Sequence, residues 1–204
     1  MHHKPTVFIV DDDPAMRSSL RWLVESVGLH VETCSSAAEF LANYDPARPG
    51  CLVVDVRMPG MSGLELQEKL AINHAPIPII VITGHGDVAM AVRAMKTGAV
   101  DFIEKPFSDQ VLLDRIQQAL DNDAEMRLSN TENDIIAARI ALLTPREHEV
   151  MEHVVAGQLN KQIAANLNIS IKTVEVHRAK IMEKMQAGTL SKLVEMALRY
   201  KGKP

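Results

Sequence analysis

Two patterns of apolar residues divide the chain. Over the first 120 residues, short apolar runs alternate with stretches whose apolar residues are three and four apart. Strands that alternate with helices in a mostly parallel sheet have this pattern. From residue 141 onward only the helical spacing recurs. The sequence therefore predicts an α/β unit with a doubly wound five-stranded parallel sheet, followed by a smaller all-α unit of four helices.

The predicted elements have clear starts and stops. Strands are expected at 7–10, 31–33, 51–54, 77–82 and 102–103. Five helices follow them, starting at Pro14, at a capping box over 36–39, near Leu64, at Asp87 and at Ser108, and the last of them buries Leu120. In the second unit, helices are expected at 145–156, 160–167, 170–185 and 191–200, and the middle two form a helix-turn-helix.

Composition and charge refine the domain boundaries. The α/β unit spans 5–122 and the helical unit spans 141–204. Residues 123–140 are polar and contain neither Pro nor Gly, so they should form a partly helical linker. The net charge is −5 over residues 1–120 and +4 over 141–204. A basic unit behind an acidic one is a weak indication of a polyanionic partner, such as nucleic acid, for the second unit.

Other classes of protein are disfavoured. The longest apolar runs, such as 77–82, are far shorter than the ~20 residues that cross a bilayer. Cys34 and Cys51 do not form a CxxC pair, so neither a disulfide framework nor a zinc site is indicated. We expect a cytoplasmic protein without a membrane partner.

Five chemically active side chains fall at the carboxyl ends of the predicted strands. They are Asp11, Asp12, Asp55, Thr83 and Lys105. Ligands bind at this edge of an open parallel sheet, so the five should converge. Three neighbouring carboxylates repel each other, and Mg²⁺ would relieve the repulsion. Asp55 lies alone on the middle strand and is the predicted nucleophile for a phosphoryl group, with Asp11 and Asp12 holding the metal and Thr83 and Lys105 neutralising charge.

A simpler interpretation exists for each residue taken singly. An Asp that follows a strand often only caps the next helix, and for Asp13 that is the preferred interpretation. A Lys before Pro is usually a solvated charge. The joint occurrence of all five at consistent strand ends is what favours a site.

The segments that carry these residues resemble receiver domains of two-component systems, most closely those of the FixJ subgroup. The segments are 9–13, 55–63, 82–87 and 101–107, and the resemblance covers residues 5–122. It implies a flavodoxin-like fold, phosphorylation of Asp55 by a histidine kinase, and Mg²⁺ bound by Asp11 or Asp12, by Asp55 and by the main-chain carbonyl of Arg57. No turnover enzyme is implied, only phosphoryl acceptance and slow self-dephosphorylation.

The same resemblance implies a switch. Thr83 and Phe102 would reorient on phosphorylation, and the altered face would form a homodimer. The bond between Lys105 and Pro106 would be cis. Phe102 is equally explained as a strand residue packed against a helix, and the sequence leaves both interpretations open.

The helix predicted at 170–185 has two faces. Val174, Ile181 and Met185 recur at helical spacing and should pack inward. The opposite face carries Lys172, Thr173, Glu175, Val176, Ala179 and Lys180. Such side chains can contact bases and phosphates when a recognition helix enters the major groove. They would also suit an ordinary solvated helix face.

A second resemblance favours DNA. The segments 144–147, 160–164 and 173–178 resemble the LuxR/FixJ-type four-helix domain, over residues 140–200. The resemblance and the helix N-termini together give these candidate contacts: Thr144, Asn160, Lys161, Ser170, Lys172, Thr173, Val174, Val176, His177 and Lys180. His177 could instead be a half-buried hydrogen-bonding residue. In this family the last helix dimerises.

The sequence therefore predicts a phosphorylation-dependent transcriptional regulator of double-stranded promoter DNA. Its expected partners are a histidine kinase and a second copy, and RNA polymerase is a candidate partner. One alternative is a signalling adaptor whose helical unit binds protein. Another is a phosphatase of the haloacid dehalogenase type, which the adjacent strand-one acids and the lack of a cap insertion disfavour.

Overall fold

A computed structural model describes residues 4–84 and 88–201. The chain forms two compact units, Met1–Met126 and Arg127–Pro204. Residues 85–87, including the predicted helix cap Asp87, lie outside the described residues.

The first unit contains a five-stranded parallel sheet with the order β2-β1-β3-β4-β5. The strands are β1 (Thr6–Val10), β2 (His30–Cys34), β3 (Gly50–Asp55), β4 (Ile79–Thr83) and β5 (Asp101–Glu104). The helices are α1 (Pro14–Ser26), α2 (Ala37–Asn43), α3 (Gly63–Ile72), α4 (Val88–Lys96) and α5 (Asp109–Ala141). The predicted α/β fold class is confirmed. β4 begins two residues later than predicted, beyond Pro78, which has no N–H to donate to a strand partner.

Alternation along the strands builds a core on each face of the sheet. Phe8 and Val10 pack in one cluster with residues of α2, α3 and α4, whereas Val7 and Ile9 pack in the other with residues of α1 and α5. Every residue of β1, β3 and β4 is buried, as expected of parallel strands covered on both faces. The carboxyl ends of these strands are therefore held on a rigid, dry framework.

Side chains cap the helices beside these strand ends. Asp13 caps α1 by accepting from the amide of Ala15 at 2.9 Å. Ser36 caps α2, but the carboxylate of Glu39 accepts from Ser35 rather than from Ser36, so the predicted capping box is only half formed.

The segment 123–140, predicted as a partly helical linker, is helical throughout. Helix α5 continues through all of it and ends at Ala141. Two contacts explain the change. The buried carboxylate of Asp123 accepts from the amide of Gly50 at 2.8 Å within the first unit, and Ile136 and Ile140 pack in the core of the second. With no Pro or Gly to interrupt it, the helix continues between them.

The second unit is all-helical. After the end of α5 it contains α6 (Pro145–Val155), α7 (Asn160–Leu167), α8 (Ile171–Met185) and α9 (Leu190–Lys201). These bounds agree with the predicted helices to within a residue or two. Thr144 and Glu147 form the predicted capping box of α6, and Ser170 caps α8 through the amide of Thr173.

Candidate functional sites

A buried ion-pair cluster lies at the carboxyl edge of the sheet. Lys105, just after β5, places Nζ 2.7 Å from Oδ1 of Asp55 and 3.1 Å from Oδ2 of Asp11. Asp55 is the last residue of β3, and Asp11 follows β1 directly. Parallel strands bring their carboxyl ends to one edge, so residues distant in sequence meet here.

The second oxygen of each carboxylate is also held. Oδ1 of Asp11 accepts from the amide of Asp13 at 2.9 Å, and Oδ2 of Asp55 accepts from the amide of Arg57 at 2.6 Å. Arg17 donates to the main-chain oxygen of Asp11 at 2.7 Å. Both carboxylates therefore have a defined orientation. The sequence did not predict these contacts of Arg17 and of the two amides, because they form only when the loops fold.

Burial and pairing oppose each other at this cluster. Burial raises the pKa of Asp11 above its usual value, although the amide of Asp13 and the ammonium of Lys105 act against it. Burial lowers the pKa of Lys105, but the hydrogen bonds that it donates to Asp55 and Asp11 outweigh burial and raise that pKa above its usual value. Lys105 is therefore cationic at neutral pH and supplies a fixed positive charge next to Asp55.

Of the three carboxylates predicted to converge, the structure joins two. Asp12 is exposed, and in residues 4–84 and 88–201 no three His, Cys, Asp or Glu side chains are grouped as metal ligands. Lys105 bonds to Asp11 and Asp55 and partly offsets their charge, whereas the side chain of Asp12 is exposed to solvent. The donor set still fits Mg²⁺, which is commonly held by one or two carboxylates and keeps several waters.

Thr83 and Phe102 lie on one face of the sheet. Phe102 aligns with Val81, and both pack in the same core cluster. Thr83 is two residues beyond Val81 on β4, so strand alternation directs it to that same face. Thr83 is fully buried and Phe102 is half-buried. The bond between Lys105 and Pro106 is cis, as expected.

Gly63 is a site residue whose role the sequence did not reveal. A Cβ added there would lie 2.3 Å from the main-chain oxygen of Asp55, and the Gly63 amide donates to the oxygen of Val56. No side chain fits, so the start of α3 can approach the end of β3 closely. The glycine stood in a segment already singled out, but its steric reason is a tertiary contact.

The predicted recognition helix is α8, and its exposed face is polar and basic. Lys172, Val176 and Lys180 are exposed, whereas Thr173 and His177 are half-buried. Atom Nδ1 of His177 is buried without a hydrogen-bond partner. Val174 requires a correction: its side chain is fully buried in the helical core, so it cannot contact DNA directly as the resemblance implied.

The remaining candidates lie at helix N-termini. Thr144, Ser170 and Lys161 are exposed, and the first two use their hydroxyl groups as caps. Asn160 accepts from Arg178 of α8 at 3.1 Å, a bond that joins the two helices of the motif. Arg178 was not a predicted site residue. Its role depends on how α7 packs against α8.

A buried ion pair stabilises the start of α6. Glu147 accepts from Lys184 of α8 at 2.6 Å and from the Thr144 amide at 2.9 Å. The Lys184 hydrogen bond and then that amide lower the pKa of Glu147 to about 2. The carboxylate therefore stabilises the second unit above its unfolded pKa of about 4.5, and this stability is lost as pH falls towards 2.

We expect Glu147→Gln to destabilise α6 and α8 by about 1 to 2 kcal/mol at neutral pH, allowing for the partial exposure of Lys184. The difference from the unsubstituted chain should shrink below pH 4.5 and vanish near pH 2. Hydrogen exchange of the α6 and α8 amides measures it. Glu149→Gln, which breaks an exposed pair with Arg146, is the matched control and should change exchange little. Equal losses in the two variants would contradict this role.

Two family models match separate parts of the chain. Residues 7–117 match the response regulator receiver domain, and residues 141–197 match the bacterial regulatory proteins of the luxR family. Within the described residues, every helix is too short or too polar to span a bilayer.

Known proteins resemble the whole chain. The transcriptional regulatory protein FixJ of Bradyrhizobium diazoefficiens is 47% identical over 98% of this chain and 97% of its own length. FixJ of Rhizobium meliloti is 50% identical over 95% of each chain. The solved structure of the response regulator StyR has 48% identity and a TM-score of 0.87, covering 97% of this chain and 100% of its own. This chain therefore belongs to the two-component response regulators that combine a receiver domain with a luxR-type DNA-binding domain, and it is a FixJ-like transcriptional regulator.

Proposed function

We propose that Asp55 accepts a phosphoryl group from a histidine kinase, and that this change promotes dimerisation and binding to promoter DNA. The proposal is based on the position of Lys105 Nζ at the carboxyl edge of the sheet. This atom lies 2.7 Å from Oδ1 of Asp55 and 3.1 Å from Oδ2 of Asp11. A buried cation there compensates the charge that a phosphoryl group brings.

The proposed reaction transfers a phosphoryl group from a kinase imidazole to Asp55. A carboxylate oxygen of Asp55 attacks phosphorus, the bond from phosphorus to the kinase imidazole nitrogen breaks, and the nitrogen leaves with its electron pair and takes up a proton. The product is an acyl phosphate. Hydrogen bonds from Lys105 and the amide of Arg57 orient the attacking carboxylate. Later hydrolysis by water returns Asp55, and no other turnover is proposed.

Mg²⁺ is the proposed cofactor. Asp11, Asp55 and the main-chain carbonyl of Arg57 would hold it, with Asp12 at the exposed side. When bound, the ion neutralises charge on the phosphoryl oxygens. The hard oxygen donors and the absence of His and Cys from this set support that choice over softer metals.

The proposed switch connects Asp55 to an outer face of the receiver. Thr83 would donate to a phosphoryl oxygen, and the space it vacates would admit Phe102, which is only half-buried now. Helix α4 exposes Val88, Val92 and Met95, whose apolar surface suits a homodimer contact. The last helix, α9, exposes Leu190 and Leu198 for a second contact.

DNA is the proposed ligand of the second unit. Lys172 and Lys180 are exposed on α8, Lys161 is exposed at the start of α7, and the positive end of each helix dipole favours phosphates. Val176 is exposed on the same face and can contact a thymine methyl group. RNA polymerase remains a candidate partner. The net positive charge of this unit supports DNA over a protein ligand.

Treatment with acetyl phosphate and Mg²⁺ tests the whole proposal. We expect light scattering to show a monomer becoming a dimer, because the altered α4 face then pairs. Affinity for duplex DNA should rise at least about tenfold, since one copy positions the other. The matched control omits Mg²⁺. An unchanged mass would remove dimerisation from the mechanism, and steady hydrolysis of a phosphate ester would instead favour the phosphatase alternative.

A further inference from the structure

One face of α5 in the second unit carries large apolar side chains in solvent. Leu128, Ile135 and Leu142, the last just beyond the helix end, are 66%, 46% and 64% exposed. They recur every seven residues, and the residues between them on this face, Thr131 and Ala138, are also exposed. A seven-residue apolar repeat is the pattern of a helix that pairs with another helix. We call these five residues the seam.

The seam residues lie outside the apolar core of the second unit. Ile136 and Ile140 of α5 pack in the core of the second unit. At 3.6 residues per turn, those two side chains lie about 120° and about 160° around the helix from the centre of the seam. Packing of the unit therefore leaves the seam in contact with solvent.

Charges beside the seam favour a second copy of the same chain. Arg127 and Asp134 flank it on one side, and Glu132 and Arg139 flank it on the other. In a parallel pair in register, a residue on the first side meets the one five positions later in the other copy. Arg127 would then meet Glu132 of the second copy, and Asp134 would meet Arg139, so both contacts join opposite charges.

Two of the flanking charges, Glu132 and Arg139, also make contacts within their own chain. Glu132 bonds to Arg199 of its own chain through Oε2, yet its side chain is still 60% exposed. Arg139 is half-buried, with bonds to the main-chain oxygen of Met185 and to Gln186. These contacts orient the two side chains along the edge of the seam.

We propose that two copies of this chain pair through the seam as a short parallel coiled coil. Two heptads are too short to associate stably by themselves, so the pairing adds to copies that other contacts already hold together. The inference rests on the proposed function only in requiring that dimer. It adds an interface in α5 to the proposed contacts through α4 and α9.

Cysteine cross-linking of the full chain tests the seam. Thr131 of one copy would face Thr131 of the other, whereas Asn130 is exposed on the flanking surface. Cys34 and Cys51 are buried, so they give little background. After acetyl phosphate, Mg²⁺ and mild oxidation, we expect Thr131→Cys to cross-link at least about tenfold faster than Asn130→Cys.

A second pair of variants separates packing from charge. Leu128→Glu, added to Thr131→Cys, should slow cross-linking at least about tenfold because it puts a carboxylate in the seam. Asn130→Glu adds the same charge on the flanking surface, outside the seam, and should leave the rate unchanged. Equal effects of the two substitutions would overturn the inference.

Light scattering of the same samples distinguishes this inference from the proposed function. If the mass doubles but both cysteines cross-link equally, the seam is wrong and the phosphorylation mechanism stands. If the mass does not double, yet Thr131→Cys cross-links selectively at high protein concentration, the seam stands and phosphorylation-driven dimerisation fails. If the mass does not double and cross-linking is not selective, both the seam and phosphorylation-driven dimerisation are overturned.

Discussion

Replacement of Asp55 by Asn should abolish phosphorylation of the chain by acetyl phosphate in the presence of Mg²⁺. The amide has almost the same shape as the carboxylate and can still accept from Lys105, so the fold of the site should persist. It lacks the anionic oxygen that attacks phosphorus, so no acyl phosphate can form. Intact-mass spectrometry measures the added phosphoryl group directly, before the labile product hydrolyses.

The matched control for this substitution is Asp45→Asn. Asp45 is an exposed carboxylate of the same unit, away from the strand ends. Its replacement by Asn should leave the extent of phosphorylation unchanged. Asp55→Asn should also lose the mass doubling expected of the unsubstituted chain. Equal phosphorylation of Asp55→Asn and the unsubstituted chain would mean that another residue is the nucleophile.

Combined replacement of Lys172 and Lys180 by Ala should weaken binding to duplex DNA about 100-fold at low salt, which assigns about 1.4 kcal/mol to each contact. Both ammonium groups lie on the exposed face of α8, clear of the helical core. If both neutralise phosphates, the slope of log affinity against log salt should also fall by about 2. Fluorescence anisotropy over roughly 50 to 200 mM salt measures both effects.

The control removes two lysines from α9 of the same unit. Lys192→Ala with Lys201→Ala changes the net charge equally but leaves α8 intact, so it should weaken binding far less. Equal losses in the two double variants would mean that overall charge, and not the recognition helix, determines affinity. A flat response to salt in the unsubstituted chain would favour the protein-binding adaptor.

Local chemistry explains why so many element boundaries could be predicted. A helix start depends on a few neighbouring residues, such as Thr144 with Glu147, and the structure confirms that capping box. Asp13 illustrates the same point, because its carboxylate caps α1 as expected. Local chemistry did not give the full length of α5, because the helix continues past Asp123, whose carboxylate accepts from the distant amide of Gly50.

Hydrophobic periodicity and family resemblance led to different predictions for Val174 of α8. Periodicity alone placed Val174 inward, and the structure confirms that placement. The family resemblance implied that the same position lies at or near DNA, but the buried side chain of Val174 cannot make a direct contact. For His177 the sequence left two alternatives open, a base contact and a half-buried residue. The half-burial of its side chain results from tertiary packing, which the neighbouring residues in sequence do not predict.

The sequence by itself determined the succession of strands and helices along the chain and the two-unit organisation. It also determined which strand ends carry Asp11, Asp55 and Lys105. Those features depend on periodicity and on residues close in sequence. Only the tertiary structure decided that Lys105 bonds both Asp55 and Asp11, 50 and 94 residues away, while Asp12 stays in solvent. A side chain reaches such partners only after the sheet has assembled, because the distances that select one carboxylate over its neighbour exist only in the fold.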